Sequence, residues 1–398
     1  MADSTRKLRP SVLARWQLDR DEERMRRMPT LLERKRARLE VSPFAFLRGT
    51  APLFYRVLRL APRLARGPDD EGWLCGDLHL ENFGVYRPDR PARAERVAFD
   101  LNDVDEAFVG PLHLDVLRIL TSTLLAARGW GSTASEALDL AGELLDGYRR
   151  IRGPGRSPPP PPPVAHLLAQ VAARKRRALL DSRTRIAGHH RRFDIGARYA
   201  RLSRPARSAI VRAFGRYGAE EAAREEIPAE RFRVIDVAFR IAGTGSLGTF
   251  RVAVLVRGHG GRDGAWMFDL KAAGEPAGAR FATRRPEPGP ARVVEAVRTL
   301  LRRPPVMLGT LRALGHGLVV RRLTPQEDRL DWAAMSAAHR PACLAYLGAL
   351  TGAAHRRGAR RRLGPLRDPD ARRLLDGAVE LAGLHEATAL AHAALSRR

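Results

Sequence analysis

The chain has 398 residues, with 71 Lys or Arg against 44 Asp or Glu, for a formal net charge of +27 at pH 7. That length exceeds a usual single domain and the apolar share is ordinary, so either one bilobal enzyme or two domains is expected, with a sizeable core. Cys75 and Cys343 alone support neither a disulfide framework nor a cysteine-rich zinc site; the charged N-terminus lacks a secretory apolar region and no stretch is apolar for long enough to cross a bilayer, so a cytoplasmic protein is expected.

Residues 1–40 read as a charged helical arm. "SPFAFLRGTAPLFYRVLRLAPRLA" continues with apolar residues at helical spacing. "EGWLCGDLHLENFGVYRP" predicts a short strand, a loop and a second strand, and "ERVAFDLNDVDEAFVGP" a strand ending at Asp100 followed by an acidic loop. Two amphipathic helices follow, then a proline excursion over 153–163 that favours a stiff polyproline II spacer. Residues 164–230 are Arg-rich and read as mostly helical, with His189 and His190 inside a helix. From 232 the pattern alternates: three strands joined by glycine turns, a helix over "PARVVEAVRTLLRR", and a strand at "GLVVRRLTP". The rest, from about 331, is helical. The expected organisation is α+β and bilobal: the arm (1–40), a mainly helical lobe in two parts (41–231 and 326–398), and a small antiparallel β-rich lobe (232–325) between them.

"GTGSLG", residues 243–248, lies between two predicted strands. Glycines there let backbone N–H groups approach a polyphosphate closely. A strand rather than a helix follows, so the stretch is not a Rossmann fingerprint, and it lacks the Gly-Lys-Ser/Thr end of a Walker A loop. A glycine loop between strands with a lysine on a later strand is the kinase arrangement, and Lys271 in "WMFDLKAA" supplies the lysine. It is one of four lysines in an arginine-dominated chain. Gly243, Thr244, Gly245, Ser246, Gly248 and Lys271 are thus candidate ATP-binding residues, with Glu295 on the next helix as the partner of Lys271.

"CGDLHLENFG", residues 75–84, packs two acids, a histidine and an amide between glycines. Phosphoryl transfer needs an acid to orient or deprotonate the acceptor hydroxyl, and an amide and a second acid for magnesium. Asp77 and Asn82 have the five-residue spacing of the kinase catalytic loop, and Asp100 ends a nearby strand. The candidate catalytic residues are Asp77 and His79; the candidate magnesium ligands are Asn82, Asp100 and Asp103. Asp103 and Asp105 equally suit a second metal, a cationic acceptor, or an acidic loop answering nearby arginines.

The loop resembles the "HGDxHxxN" loop of the aminoglycoside phosphotransferase and choline kinase branch of the protein-kinase-like superfamily, with Cys75 in place of the first His. "FDLNDVDEAFVGPLHLDVLRI" resembles that branch's "IDxxxxxxGDPxxDLA" segment. The resemblance implies Asp77 as catalytic base, Asn82 and Asp100 on magnesium, and Asp115 as an acid bracing the loop. The catalytic loop comes before the glycine loop here, the reverse of ordinary kinases. "CLAYLGALTGAAHRRGA", residues 343–359, resembles the helix that precedes the catalytic loop in those enzymes, with His355 near its end. The whole therefore reads as a circular permutation, which requires that helix to lie beside the catalytic loop. Arg48-Gly49, Gly76 to Gly84, Phe99 to Glu106, Gly110 to Arg118, Gly243 to Gly248 and Leu318 to Leu323 together resemble one bacterial family, domain of unknown function (DUF) 2252; that family's usual acid after the strand lysine is Ala272 here.

Other readings remain at this level. Flipped nucleotide binding would make an adenylyl transferase, and loss of chemistry a nucleotide-binding pseudokinase. The "DxH" of Asp77 and His79 suits a metallophosphoesterase, but "GNH" and "HxH" are absent. An Arg-rich nucleic-acid-binding protein is disfavoured because the charge is spread along the chain and aromatics rarely interleave with it.

Overall fold

Prolines at the first turn set the start of the first helices, since the missing N–H is one that a helix leaves unpaired anyway. α1 (Pro10–Met25), α2 (Pro29–Leu39) and α3 (Pro43–Gly49) all begin this way, and Ser42 caps α3 by accepting from Ala45 N at 3.1 Å. α4 (Ala51–Leu60) follows. The computed structural model describes residues 6–88, 96–152, 158–243, 245 and 247–397.

Four short strands come next: β1 (Glu71–Leu74), β2 (Phe83–Tyr86), β3 (Ala98–Leu101) and β4 (Phe108–Pro111). β1 pairs with β4 and β2 with β3, both antiparallel, with Leu74 opposite Phe108 and Phe83 opposite Leu101. This nesting brings the loop between β1 and β2 against the loop between β3 and β4. Helices α5 (His113–Gly129), α6 (Ala134–Arg152), α7 (Pro162–Ala172) and α8 (Arg176–Asp181) lead to a hairpin of β5 (Thr184–Ala187) and β6 (His190–Phe193).

The larger sheet combines β7 (Tyr199–Ala200), β8 (Val234–Arg240), β9 (Arg251–Val256), β10 (Trp266–Ala272), β11 (Gly309–Ala313) and β12 (His316–Leu323). Its order is β11-β12-β10-β9-β8-β7, antiparallel throughout. Successive side chains of a strand point to opposite faces, and the two faces are filled differently. Val252, Val254, Phe268 and Leu270 pack with Phe214 and Tyr217 of α9 (Arg204–Arg224). Ala253, Leu255 and Met267 pack with Leu180, Phe193 and Tyr199. α10 (Pro290–Leu300) lies between β10 and β11 in sequence, and α11 (Arg340–Gly358) and α12 (Asp368–Ser396) end the chain. A separate, larger core joins α1 to α7 and α10 to α12. The architecture is α+β with small antiparallel sheets, and among the described residues no helix is long and apolar enough to cross a membrane.

Three local expectations are corrected. Residues 164–230 are mostly helical, through α7, α8 and α9 (Arg204–Arg224), but β5, β6 and β7 also lie within them, and His190 begins β6 instead of sitting in a helix. Arginines mask the alternation there, because Arg191 is itself buried, held by Asp263 and Asp181 at 2.7 Å each. β4 and β11 are too short to show a pattern of their own and exist through pairing with β1 and β12. The first 40 residues do not stand apart from the core, since Leu13 and Leu39 lie in it, and Ser396 Oγ donates to Glu40 at 2.6 Å. In the proline excursion, Pro162 starts α7, and residues 153–157 lie outside the described ones.

Candidate functional site

The loop after β1 is braced from below. Gly76 has φ +79°, and a Cβ there would lie 2.0 Å from the carbonyl oxygen of Glu106, so only glycine fits. The N–H groups of Cys75 and Gly76 donate to the Asp115 carboxylate at 2.6 and 3.0 Å. His355 Nε2 lies 3.3 Å from the same carboxylate, and the Tyr148 hydroxyl lies 3.2 Å from His355 Nδ1. Helices α5, α6 and α11 thus converge on one loop. Asn82 is fixed by a reciprocal cap: His79 N donates to Asn82 Oδ1 at 2.8 Å, and Glu81 N to His79 Nδ1 at 3.2 Å. His79 is buried, and burial together with Arg48, Arg118 and Arg329 holds its pKa well below the ordinary value, so the ring is neutral.

Asp77 points from this loop into a cleft. Its carboxylate pairs with Arg118, which is fully buried over the ring of Phe54 and also donates to Leu47 O at 2.9 Å. Burial pushes the Asp77 pKa up to about 7; Arg118 opposes the shift, while Glu106 and Asp103 add to it.

The facing loop, between β3 and β4, carries Asp103, Asp105 and Glu106. Asp103 O lies 3.5 Å from Asn82 Nδ2, which joins the two loops. Lys271, near the end of β10, is ion-paired with Asp105. Burial works against the ionised Asp105, but Lys271, Arg251 and Asp103 together hold the carboxyl below the usual range. Asp103 is pushed up, by burial and then by Asp105. Lys271 itself is raised, because Asp103 and Asp105 together overcome its burial. From α10, Arg292 donates to Asp105 O at 3.0 Å and Gly274 O at 3.1 Å, tying the acidic loop to the segment after β10.

The glycine loop closes the third side. A Cβ on Gly245 would come within 3.3 Å of Arg48 O, so this backbone runs directly over the end of α3. Arg38 donates to Gly243 O, and Arg24 to Thr249 Oγ1 at 2.5 Å. The cavity enclosed is about 570 Å3, lined by Asp77, His79, Asn82, Asp103, Asp105, Gly243, Gly245 and Lys271, and by Arg20, Arg24, Lys35, Arg48 and Arg329. Within it Lys35 pairs with Asp21 at 2.5 Å, and Glu81 holds Arg48 at 2.7 Å and Arg329.

Three of the described sequence candidates lie outside the cavity lining: Gly248, where a Cβ would meet the Met25 side chain, and two acids. Asp100 is buried away from the cavity, where its carboxylate accepts from Leu101 N at 2.9 Å and Arg302 N at 3.2 Å, with Arg357 at 3.6 Å. Strand alternation explains this, since β3 turns residue 100 to the opposite side from the loop that follows. Glu295 is exposed on α10 and lines a different surface hollow, so Asp105 takes the partner position expected for it. Thr244 and Ser246 lie outside the described residues.

A family model described as "Uncharacterized protein conserved in bacteria (DUF2252)" matches residues 27–394. The chain belongs to this family. No curated protein and no solved structure matches it. The DUF2252 motifs, scattered along the chain, largely share one place in space. Arg48-Gly49 meets the glycine loop, the acidic loop meets Lys271, and Asp115 and Arg118 meet the Gly76 loop. Sequence reasoning left Arg118 without a role, although its three-residue offset from Asp115 puts both on one helix face. It also set aside Arg20, Arg24 and Lys35, and nothing in an amphipathic arm announces which side faces a cleft.

Proposed function

We propose that this DUF2252 protein is an ATP- and magnesium-dependent phosphotransferase of protein-kinase-like design, circularly permuted, acting on a hydroxyl acceptor. The observation that carries the reading is one cavity lined by the glycine loop and Lys271 together with Asp77, Asn82 and Asp103. Lys271 is on the third strand counted from the glycine loop's own first strand, as the phosphate-pairing lysine of kinases is. Cyclic order is supported where α11 ends: Ala359 bridges to Gly72, and Arg360 N donates to Glu71 O at 2.9 Å, so this helix runs up to the strand that bears the catalytic loop.

In this reading the backbone N–H groups of the glycine loop and Lys271 bind phosphate oxygens. Magnesium favours hard oxygen donors, often one or two carboxylates completed by phosphate and water, and Asp103 and the Asn82 carbonyl are such donors on adjoining loops. Among the described residues no group of three His, Cys, Asp or Glu forms a ready-made metal site, which fits a metal brought in with the nucleotide. When bound, magnesium neutralises charge on the phosphate oxygens. Asp77 takes the acceptor's proton, and a carboxylate titrating near pH 7 is well matched to that task. Arg118 fixes its orientation, and Asp105 holds Lys271 in the cleft before nucleotide arrives.

The test is turnover of γ-labelled and α-labelled ATP with magnesium over a panel of hydroxyl compounds. Transfer of the γ label with ADP release, lost in Asp77→Asn, supports the reading. Transfer of the α label redirects it to adenylyl transfer, and nucleotide binding with no transfer to any acceptor redirects it to a pseudokinase.

A further inference from the structure

Most buried arginines have an oxygen partner. Arg118 has Asp77, Arg152 has Asp70, Arg191 has Asp263, and Arg292 has three carbonyls. Arg322 of β12 differs. It is 8% exposed, its guanidinium lies 4.0 Å above the Trp266 ring, and its one hydrogen bond among the described residues is a weak 3.8 Å contact to Met307 Sδ. Burying an unpaired cation is costly, and a second and third cation nearby make it worse. Arg87, just beyond β2, and Arg176, at the start of α8, line the same hollow of about 100 Å3. Among the described residues no Asp or Glu lines it, and none of the three arginines has an ion pair. Burial, then Arg87 and Arg176, push the Arg322 pKa down to about 9. The buried Thr324 hydroxyl lies in the same wall, with no partner among the described residues.

We infer that this hollow is a binding site for one phosphate-type oxyanion, either free phosphate or the phosphoryl group of a phosphomonoester. Three guanidinium groups and a hydroxyl offer the donor forks and charge that a tetrahedral oxyanion takes, and the volume suits one such group rather than a nucleotide. The site is separate from the nucleotide cleft, at the opposite end of β10 from Lys271. It also sits at a junction. Residues 324–326 lead from β12 to Asp328, which exchanges hydrogen bonds with Val85 of β2 at 2.6 and 3.2 Å, and Gln326 donates to Arg174 O at 2.8 Å. An anion held here draws together the end of β2, α8 and the last strand of the sheet.

The experiment is thermal unfolding and calorimetric titration of the full chain with inorganic phosphate and with glycerol phosphate, against chloride at equal ionic strength. Both oxyanions are compared on wild type, Arg176→Gln, Arg87→Gln and Arg322→Met. The expected result is a saturable rise in midpoint with at least one oxyanion and not with chloride. Loss of one guanidinium weakens apparent affinity about tenfold. Tighter binding of glycerol phosphate assigns the site to a phosphomonoester, and tighter binding of inorganic phosphate to the free ion; both support it. Without anion, Arg322→Met, which removes the unpaired buried charge, unfolds at or above the wild-type midpoint. If Arg322→Met does not fold, the two glutamine variants decide. An oxyanion response equal to that with chloride, or one retained undiminished in the folded variants, overturns the site.

Discussion

Lys271 and Asp105, separated by 166 positions in the chain, are ion-paired in the cleft between the six-stranded sheet and the loop from Gly76 to Asn82. The sheet contributes the cation and the acidic loop the anion, so the pair sets the position of Lys271 without Glu295, while α10 braces the acidic loop through Arg292. Glu295→Ala therefore changes stability by less than about 0.5 kcal/mol, as expected of an exposed site, and leaves ATP affinity unchanged. Asp105→Ala weakens ATP binding by roughly tenfold, because Lys271 loses its anchor. Titration calorimetry on the two variants separates these outcomes; equal losses would return Glu295 to the role.

Asp77 predicts a pH dependence. Its carboxyl has an ordinary value of 3.8 and is raised to about 7 in the fold, so between those values the folded protein holds a proton that the unfolded chain has released. Stability therefore falls as pH rises from about 4 to about 7, and the penalty is fully present above that window. Asp77→Asn abolishes this component, which denaturant unfolding at several pH values measures as a change in slope. Activity moves the other way, with a rising limb near pH 7 as the base ionises.

The magnesium assignment separates Asp103 from Asp100. Asp103→Asn leaves the fold intact and removes the magnesium dependence of nucleotide binding. Asp100→Asn weakens a buried acceptor of two backbone N–H groups, so its main effect is destabilisation by about 1–3 kcal/mol with magnesium dependence retained in the folded fraction. The opposite pattern would place the metal at Asp100.

Asp115 holds the catalytic loop by two N–H groups and meets His355 from α11. Asp115→Ala strands buried donors and costs about 3 kcal/mol or more in urea unfolding. A loss below about 1 kcal/mol would mean that the loop is held by other contacts.

How much of this was legible depends on what each residue type must do locally. The loop from Gly76 to Asn82 could be read because its spacing is chemical and its glycine obeys a backbone requirement. Lys271 stood out because lysine is rare here. That Asp100 lies off the cavity is not legible, because an acid closing an apolar strand resembles a metal ligand, while the alternation that turns it inward depends on register. That Glu295 lines a different hollow is not legible either, because helix position alone does not say which face meets the sheet. The N-terminal helices read as an arm because their charge conceals Leu13 and Leu39, whose burial comes from tertiary packing. β5 and β6 were missed because a buried Arg191 interrupts the apolar alternation.

The most direct measurement is thermal unfolding with millimolar ATP, with and without magnesium, on wild type, Lys271→Met and Asp103→Asn. The account predicts a magnesium-dependent rise in the wild-type midpoint that is reduced in both variants, since the two residues line one cavity. No magnesium-dependent shift in wild type, with both variants folded, would contradict a nucleotide site in this cavity.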